Sequence, residues 1–308
     1  KYRVLTIPYS LNFVDTYFSL SLLMKKFYYF LWNLSIYFQK IVSIIYYPLK
    51  SYNNFMNSFK IMSLNLLTSG ANIPGNPPFN IRIKAISSML EEYTPDIIGV
   101  QELTDSMFPY LKDILNKYAI FGESRHSLLS DEYSSILFNK DKYELIEGKT
   151  LWLSDTVTKK GSKYLLSQFP RIVTYVYLKD KLTNKTFTVF NTHLDANFPF
   201  VRTKQAIILS KIIHKYQQGD FTLLCGDFNC TRLSPALRLL SKRLKDLSYD
   251  EMGSTLRGNV GSFLYKHLPI DHIFISDNLS IDEINKITSS YNTIYPTDHY
   301  PVIANVYY

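Results

Sequence analysis

Apolar runs that end in polar side chains recur along the chain from Lys60 onward. The run at 221–225 reads FTLLC and is followed by a Gly-Asp pair, Phe228 and Asn229. This pattern predicts a buried strand that delivers polar groups at its carboxyl end. Side chains two positions apart in an extended chain point to the same side, so Asp227 and Asn229 are predicted to stand together at the edge of a sheet.

Other strand-like runs end in the same way. They read KIMSLN, ending at Asn65; DIIGVQE, ending at Glu102; FTVFNTHLD, with His193 and Asp195; IDH, with Asp271; and TDH, with Asp298 and His299. The sequence therefore predicts that polar groups from distant parts of the chain converge at one edge.

Between these runs, strands and helices alternate. Helical spacing of apolar residues predicts helices over 81–93, 107–118 and 199–216, and Ser234-Pro235 predicts another helix start. Further strands are predicted near 134–138, 145–153, 270–276 and 300–307, together with a hairpin over 171–178 and 186–194. The Gly- and Pro-rich stretch at 68–80 predicts a loop bordering Asn65. This order predicts an α/β fold in which two packed sheets are flanked by helices.

The amino-terminal residues 1–59 differ in kind from the domain predicted over 60–308. Residues 27–49 are dense in aromatic side chains and carry one charge, Lys40. Their length could span a bilayer, but Asn33, Gln39 and Lys40 make full insertion costly. We therefore expect an interfacial or anchoring helix and a membrane-associated protein. The alternatives are a helix laid on the main domain and a cytoplasmic protein.

Charge and cysteine content narrow the function classes. Residues 1–59 hold six basic residues and one acidic residue, a net charge of +5, which leaves +3 of the formal +8 for 60–308. The larger domain is therefore not strongly basic, and composition alone does not point to nucleic acid. The two cysteines, Cys225 and Cys230, give neither a disulfide framework nor metal-site spacing, and Cys225 is predicted to be a core residue.

The residue types at the strand ends suit the cleavage of a phosphate ester. That chemistry needs a cation on the phosphate oxygens, a base for the attacking water and an acid for the leaving group. Glu102 is the candidate Mg²⁺ ligand, with Asn65 bonded to a ligand or a phosphate oxygen. Asp227 is the candidate general base. His299 is paired with Asp271, which would hold the imidazole in its charged form.

In this order the motifs resemble the endonuclease/exonuclease/phosphatase superfamily, which includes deoxyribonucleases, deadenylases, neutral sphingomyelinases and inositol polyphosphate 5-phosphatases. They are Asn65 after an apolar strand, PDIIGVQE, NTHLD, GDFN, IDHIFIS and TDHYPV. The resemblance covers 60–308. The stretches LWLSDT at 151–156, GSK at 161–163 and PR at 170–171 are similar to an uncharacterised bacterial branch. The segment STLRGNVGSF, which begins at Ser254, departs from the threonine-phenylalanine pair usual there.

The resemblance implies a four-layer α/β/β/α sandwich of the deoxyribonuclease type, with mixed, mainly antiparallel sheets. It implies Mg²⁺, with Mn²⁺ as a substitute, held by a set that includes Asp298. It also implies the remaining roles: Asp227 as base, Asn229 orienting the phosphate or the nucleophile, His299 stabilising the transition state, His193 on the phosphate or leaving group, and Asp195 at the substrate or orienting a neighbour. Arg171 is expected either to contact phosphate or to be a surface arginine.

These observations predict a monomeric, metal-dependent hydrolase of phosphate esters that works by direct attack of an activated water, with no protein partner. Its substrate would be a nucleic acid or a phospholipid or inositol phosphate headgroup. The alternative from another class is an inactive, membrane-tethered binding protein. The remaining histidines are expected to be structural: His126, His214 and His267 at the surface, and His272 packed beside Phe274.

Overall fold

A computed structural model of the chain describes Leu31 and residues 57–70, 75–126, 131–258 and 265–308. The chain divides into two units, Lys1–Met56 and Asn57–Tyr308. Except for Leu31, the segment predicted to contact a membrane, 27–49, lies outside the described residues. Among the described residues, no helix has the length and apolar character needed to cross a bilayer.

Two mixed sheets of six strands each form the centre of the second unit. The first sheet contains β1 (Ser58–Asn65), β2 (Ile97–Leu103), β3 (Tyr118–Phe121), β4 (Tyr133–Asn139), β11 (Ser280–Lys286) and β12 (Val302–Tyr307), in the spatial order β11-β12-β1-β2-β4-β3. The second contains β5 (Tyr143–Trp152), β6 (Ile172–Asp180), β7 (Thr186–His193), β8 (Phe221–Asp227), β9 (Lys245–Asp246) and β10 (Asp271–Ile275), in the order β5-β6-β7-β8-β10-β9. The β1–β2 and β7–β8 pairs are parallel and the other pairs are antiparallel.

Helices cover the outer faces of both sheets. They are α1 (Phe79–Tyr93), α2 (Lys112–Lys117), α3 (Pro199–Tyr216) and α4 (Pro235–Leu240), with short 3-10 helices at Asp105–Tyr110 and Asp250–Met252. Buried side chains of α1 and α2 pack on the first sheet, and those of α3 and α4 pack on the second. A third apolar cluster lies between the sheets. The predicted four-layer sandwich is confirmed.

Strand β1 shows why the layers form. Phe59 and Ile61 belong to the cluster between the sheets, whereas Met62 and Leu64 belong to the cluster under α1. Alternate side chains of a strand point to opposite faces, so an almost continuous apolar run suits a strand that is buried on both sides. The strand begins at Ser58 rather than at Lys60, because Phe59 is already part of the core.

The helix predicted over 107–118 is wrong in its extent. A 3-10 helix occupies Asp105–Tyr110 and contains Pro109, and α2 covers only Lys112–Lys117. Proline lacks an N–H and clashes with the preceding turn of an α-helix, so one continuous helix does not form there. Tyr118, expected on the helix, opens β3 instead. The short strand β9 and the largely exposed strand β11 were not predicted, because neither has a strong apolar pattern.

Gly99 in β2 lies directly against side chains of the second sheet. A Cβ at this position would lie 2.3 Å from Cys225 Sγ and 2.8 Å from Asn191 Oδ1. The position therefore has no space for a side chain.

We expect Gly99→Ala to lower the free energy of unfolding by about 1–3 kcal/mol, because overpacking a close-packed interior forces its neighbours to move. Urea unfolding measures the change. Adding Cys225→Ala removes the sulfur, so the double variant should be more stable than the sum of the two single changes predicts. Simple additivity would show that the two residues are not in steric conflict.

Candidate active site

Three neighbouring strands of the second sheet place polar side chains at the same level. In the parallel β7–β8 pair His193 lies opposite Asp227, and in the antiparallel β8–β10 pair Asp227 lies opposite Asp271. All three residues are buried. The predicted convergence of His193, Asp227 and Asp271 therefore follows from strand register alone.

Asn65, at the end of β1, connects the two sheets. Its Nδ2 donates to Glu102 Oε1 at 3.0 Å and to Asp227 Oδ2 at 3.1 Å. Its Oδ1 accepts from the Leu67 N–H at 3.0 Å. Asn65 is therefore hydrogen-bonded to Glu102, the predicted metal ligand. Its Oδ1 keeps a second lone pair, so direct ligation of a metal by Asn65 stays a prediction.

Glu102 reaches this position through an irregular backbone. The pairing of β2 with β4 shifts register between Val100 and Leu103, and Glu102 has φ +58°. Such a conformation is uncommon for a residue with a side chain and persists only where the surroundings enforce it. The carboxylate is held on both sides, by Asn65 and by the Thr68 N–H, which donates to Oε2 at 2.8 Å.

A buried amide clamp fixes the strand end next to Glu102. Gln101 Nε2 donates to Asn191 Oδ1 at 2.7 Å, and Asn191 Nδ2 donates to the carbonyls of Val100 and Ser135, each at 2.8 Å. Buried polar groups that are paired in this way specify one arrangement of the elements they join. The clamp therefore locks β7 of the second sheet against β2 and β4 of the first.

Asp227 lies at the centre of the site and is 1% exposed. The Asn229 N–H donates to its Oδ1 at 2.8 Å, and its Oδ2 lies 3.5 Å from His193 Nε2 and 3.9 Å from His299 Nε2. Burial, followed by repulsion from Asp271, raises the pKa of Asp227 to about 7.

The predicted pair of His299 and Asp271 is present. His299 Nδ1 and Asp271 Oδ2 are 2.8 Å apart. Burial alone would lower the pKa of His299. The negative charge of Asp271 and the hydrogen bond that His299 donates to it raise this pKa well above its usual value, and the charges of Asp227 and Asp298 raise it further. The imidazole is therefore held in its protonated form.

Thr255 anchors this pair, and the sequence reading did not assign it a role. It is fully buried, and its Oγ1 accepts from the backbone N–H groups of Ile270 and Asp271 at 3.1 and 3.2 Å. The only feature of the sequence that could have indicated this role is the position of the threonine before the IDH motif. The part of STLRGNVGSF at 259–263 lies outside the described residues.

The pKa of His193 is shifted in the opposite direction to that of His299. Burial, then the charges of Arg171, Arg125 and His299, lower the pKa of His193 well below its usual value. It is therefore neutral at pH 7. Arg171 is 8% exposed, so the surface alternative for this residue is wrong. Its Nε and Nη1 have no hydrogen-bond partner among the described residues, and it lines a small cavity of about 10 Å³ with Arg125, Glu132 and His193.

Asp195 and Asn229 make contacts within the protein. Asp195 is 1% exposed; its Oδ2 accepts from Ser167 Oγ at 2.8 Å, and its Oδ1 accepts from the N–H groups of Asn197 and Phe198 at 2.9 and 3.0 Å. These contacts give Asp195 a loop-positioning role, which is the orienting alternative. Asn229 has φ +50°, and its Nδ2 donates to the Leu194 carbonyl at 3.1 Å.

The donor set suits a divalent cation bound by hard oxygen ligands. Burial raises the pKa of Asp298, and the nearby Glu102 charge raises it further. Carboxylates crowded in this way are stabilised by a cation. Ligand atoms of Asp227, Asp271 and His299 also lie within 4.8 Å of one another. Asp271 and His299 are already hydrogen-bonded to each other. The described residues that could hold a cation are therefore this group and the predicted ligands Glu102 and Asp298.

Arg82 of α1 joins two loops that border the site, and the sequence did not predict this role. It is 1% exposed, and its guanidinium donates to the carbonyls of Pro77, Leu66, Pro296 and Leu67 at 2.7–2.9 Å. It therefore ties the loop after Asn65 to the loop before Asp298. A helical arginine carries no sequence signal for this role, since it is indistinguishable from a solvated one.

The other histidines lie outside the site. His214 and His267 are exposed and His126 is half-buried. His272 is fully buried, with its ring 6.1 Å from that of Phe274 and its Nδ1 3.1 Å from Asp246 Oδ2. Its packed position is confirmed.

Buried carboxylates, a histidine whose pKa is raised and an arginine with two unpartnered nitrogens among the described residues lie at the shared edge of two sheets, a set that suits the hydrolysis of phosphate esters. A family model described as "Endonuclease/Exonuclease/phosphatase family" matches residues 62–299. The chain belongs to this family, as its motifs indicated.

Proteins from a virus and from a bacterium are similar to this chain. An uncharacterized protein of Acanthamoeba polyphaga mimivirus is 27% identical over 245 residues, which is 71% of this chain and 88% of the relative. A family protein of Bacteroides thetaiotaomicron is 25% identical with a TM-score of 0.72, covering 82% of this chain and 98% of that one. The mannosyl-6-phosphatase of the same organism is 25% identical with a TM-score of 0.69, covering 81% and 100%.

We expect Arg82→Met to lower the free energy of unfolding by about 3 kcal/mol or more, because it leaves several buried carbonyls without a donor. The matched control is Lys84→Met on the same helix, where the side chain is exposed and the change should stay within about 0.5 kcal/mol. Urea unfolding of both variants measures the difference. Equal stability of the two would show that Arg82 does not hold these loops.

Proposed function

We propose that this protein is a divalent-metal-dependent hydrolase of phosphate esters in which Asp227 activates the attacking water. One observation carries the proposal: the same Asn65 amide nitrogen bonds Glu102 and Asp227, at 3.0 and 3.1 Å. A metal ligand on one sheet and a base on the other are thereby held next to each other. In-line attack on phosphorus requires this proximity, because catalysis of phosphoryl transfer depends mainly on positioning and charge.

Glu102 and Asp298 are the proposed ligands of the cation, with Mg²⁺ favoured and Mn²⁺ as a substitute. Mg²⁺ is bound by few carboxylates and keeps several of its waters, which fits this small acidic set. When bound, such a cation neutralises the phosphate oxygens and stabilises the charge that develops on them. Asn65 supports the site by orienting Glu102.

Asp227 is suited to be the base because its raised pKa of about 7 makes it more basic than an ordinary aspartate. A general base works best when its pKa lies near the working pH. Protonated His299, held by Asp271, would stabilise the negative charge of the transition state. Neutral His193 and the unpaired guanidinium of Arg171 would donate hydrogen bonds to the phosphate oxygens or the leaving group.

The proposed substrates are phosphate esters whose phosphate group can reach Asp227 and His193 at the shared edge of the two sheets. The mannosyl-6-phosphatase of Bacteroides thetaiotaomicron supports testing sugar phosphates beside nucleic acids and phospholipid or inositol phosphate headgroups. Purified protein with Mg²⁺, assayed against each class with and without chelator, tests the proposal. Absence of chelator-sensitive hydrolysis across all classes would favour the inactive binding protein.

We expect Asp227→Asn to reduce kcat by about 10²–10⁴-fold, because the amide cannot accept the proton of the attacking water. The matched control is Asp220→Asn, an exposed position at the opposite end of β8. Activity is measured on the best substrate of the screen, and circular dichroism confirms that both variants are folded. Undiminished kcat in Asp227→Asn would end the assignment of the base.

We expect Glu102→Gln to weaken divalent-metal binding by about tenfold or more, because it removes a charged oxygen ligand. Calorimetric titration with Mn²⁺ measures the affinity directly, independently of turnover. The control is Glu91→Gln on the exposed face of α1. If Glu102→Gln and Glu91→Gln bind Mn²⁺ as the unmodified protein does, the cation is held elsewhere.

A further inference from the structure

An exposed apolar surface flanks the active site. It is formed by Leu165, Leu166 and Phe169 on the loop that follows β5 and by Phe198 and Phe200 at the start of α3, with exposures of 76%, 60%, 42%, 47% and 48%. We call these five residues the apolar rim. Large apolar side chains that cluster in this way at a surface mark an interaction site.

The rim is attached to the catalytic residues through Asp195. This carboxylate lies two residues after His193 and accepts hydrogen bonds from Ser167 on one loop and from the Phe198 N–H on the other. The first loop also runs directly through Phe169 and Pro170 into Arg171. The two halves meet where the rings of Tyr164 and Phe200 pack edge to face, with centroids 6.3 Å apart.

The exposure of the rim is built into the loop. Ser167 is 2% exposed and donates to Asp195 while the side chains on either side of it, Leu166 and Gln168, are exposed. Leu166 has φ +71°, a conformation that costs a residue with a side chain of the order of 1–3 kcal/mol. The buried anchor and the strained backbone together hold two adjacent leucines in the solvent, an arrangement that a partner surface would stabilise.

The charges around the rim are predominantly positive. Exposed lysines are present at 159, 160 and 163 on the first loop and at 204 on α3, against two exposed acidic residues, Asp155 and Glu123. Lys160 forms a salt bridge of 3.2 Å with Glu123, and Lys163 donates to the Gln168 carbonyl at 3.4 Å. An apolar surface edged by lysines is complementary to an anionic bilayer, where acyl chains accept the apolar groups and headgroups attract the cations.

We infer that the apolar rim docks the active-site edge onto an anionic lipid surface. Single-stranded nucleic acid is also bound by aromatic and basic surfaces, through stacking of bases on rings. The two most exposed members of the rim are leucines, however, and an aliphatic side chain offers no ring for stacking. The inference rests on the proposed function only in that the docked site would face phosphate esters presented at that surface.

An environment-sensitive fluorophore on a single cysteine tests the docking in the full chain. The two native cysteines are buried, so a cysteine introduced as Leu165→Cys is the accessible target. The control is Leu182→Cys, which is 85% exposed in the turn between β6 and β7, at the opposite end of β7 from His193. Residues 1–56 are present in both proteins, so any membrane contact of theirs is common to both.

We expect phosphatidylcholine vesicles containing phosphatidylserine to shift the emission of the label at 165 to the blue and to leave the label at 182 unchanged. Phosphatidylcholine alone should give a weaker response. Equal responses at the two positions, or no response at 165, would overturn the inference. A response at 165 to a single-stranded oligonucleotide but not to vesicles would assign the rim to nucleic acid instead.

A second pair of variants separates docking from catalysis. We expect Leu165→Glu combined with Leu166→Glu to reduce partitioning onto the anionic vesicles by about tenfold, whereas Leu182→Glu should not change it. Both variants should hydrolyse a soluble phosphate ester as the unmodified protein does, because all three side chains are exposed. Unchanged partitioning of the double variant would contradict the docking. If the unmodified protein does not hydrolyse any phosphate ester, the proposed function is contradicted. The docking inference is not affected by that result.

Discussion

The site depends on one residue of the first sheet that hydrogen-bonds to a carboxylate on each of the two sheets. Asn65 extends from the first sheet and donates to Glu102 on its own sheet and to Asp227 on the other. A buried carboxylate and a half-buried one repel each other and lose hydration, so they can stand this close only if donors or a cation compensate. The amide supplies that compensation in the folded chain, and the pairing exists only when the sheets pack face to face.

Three titratable groups that lie close together in the site, His299, His193 and Asp227, have pKa values shifted in different ways. Attraction from Asp271 keeps His299 protonated, whereas burial and the charges of Arg171 and Arg125 keep His193 neutral. Asp227 lies between the two rings and is raised in pKa by burial and by Asp271. Distinct acid, base and hydrogen-bonding roles can therefore arise from ordinary residue types, because each pKa is set by its neighbours.

Residues outside the chemistry hold the reacting groups in place. The Gln101–Asn191 amide pair locks the sheets beside Glu102, and Arg82 ties together the loops that carry Asn65 and Asp298. The opposite side of the site is different, since Asp195 there anchors loops that expose the apolar rim. Buried residues thus hold the predicted catalytic groups in place. The loops at the border of the site can differ without disturbing them and can determine which surface the site contacts.

Local pattern in the sequence determined most of the strands, the two-sheet architecture and the polar strand ends. Apolar alternation and terminal polar residues are properties of a few neighbouring positions, and His193, Asp227 and the Asp271–His299 pair could be predicted from them. Tertiary structure decided the rest. The bridging amide of Asn65, the role of Thr255, the burial of Arg82 and Arg171 and the exposure of Leu165 and Leu166 depend on contacts between segments far apart in the chain. The local pattern of apolar and polar residues cannot predict such contacts. Their stabilising free energy comes from residues that become neighbours only when the chain folds.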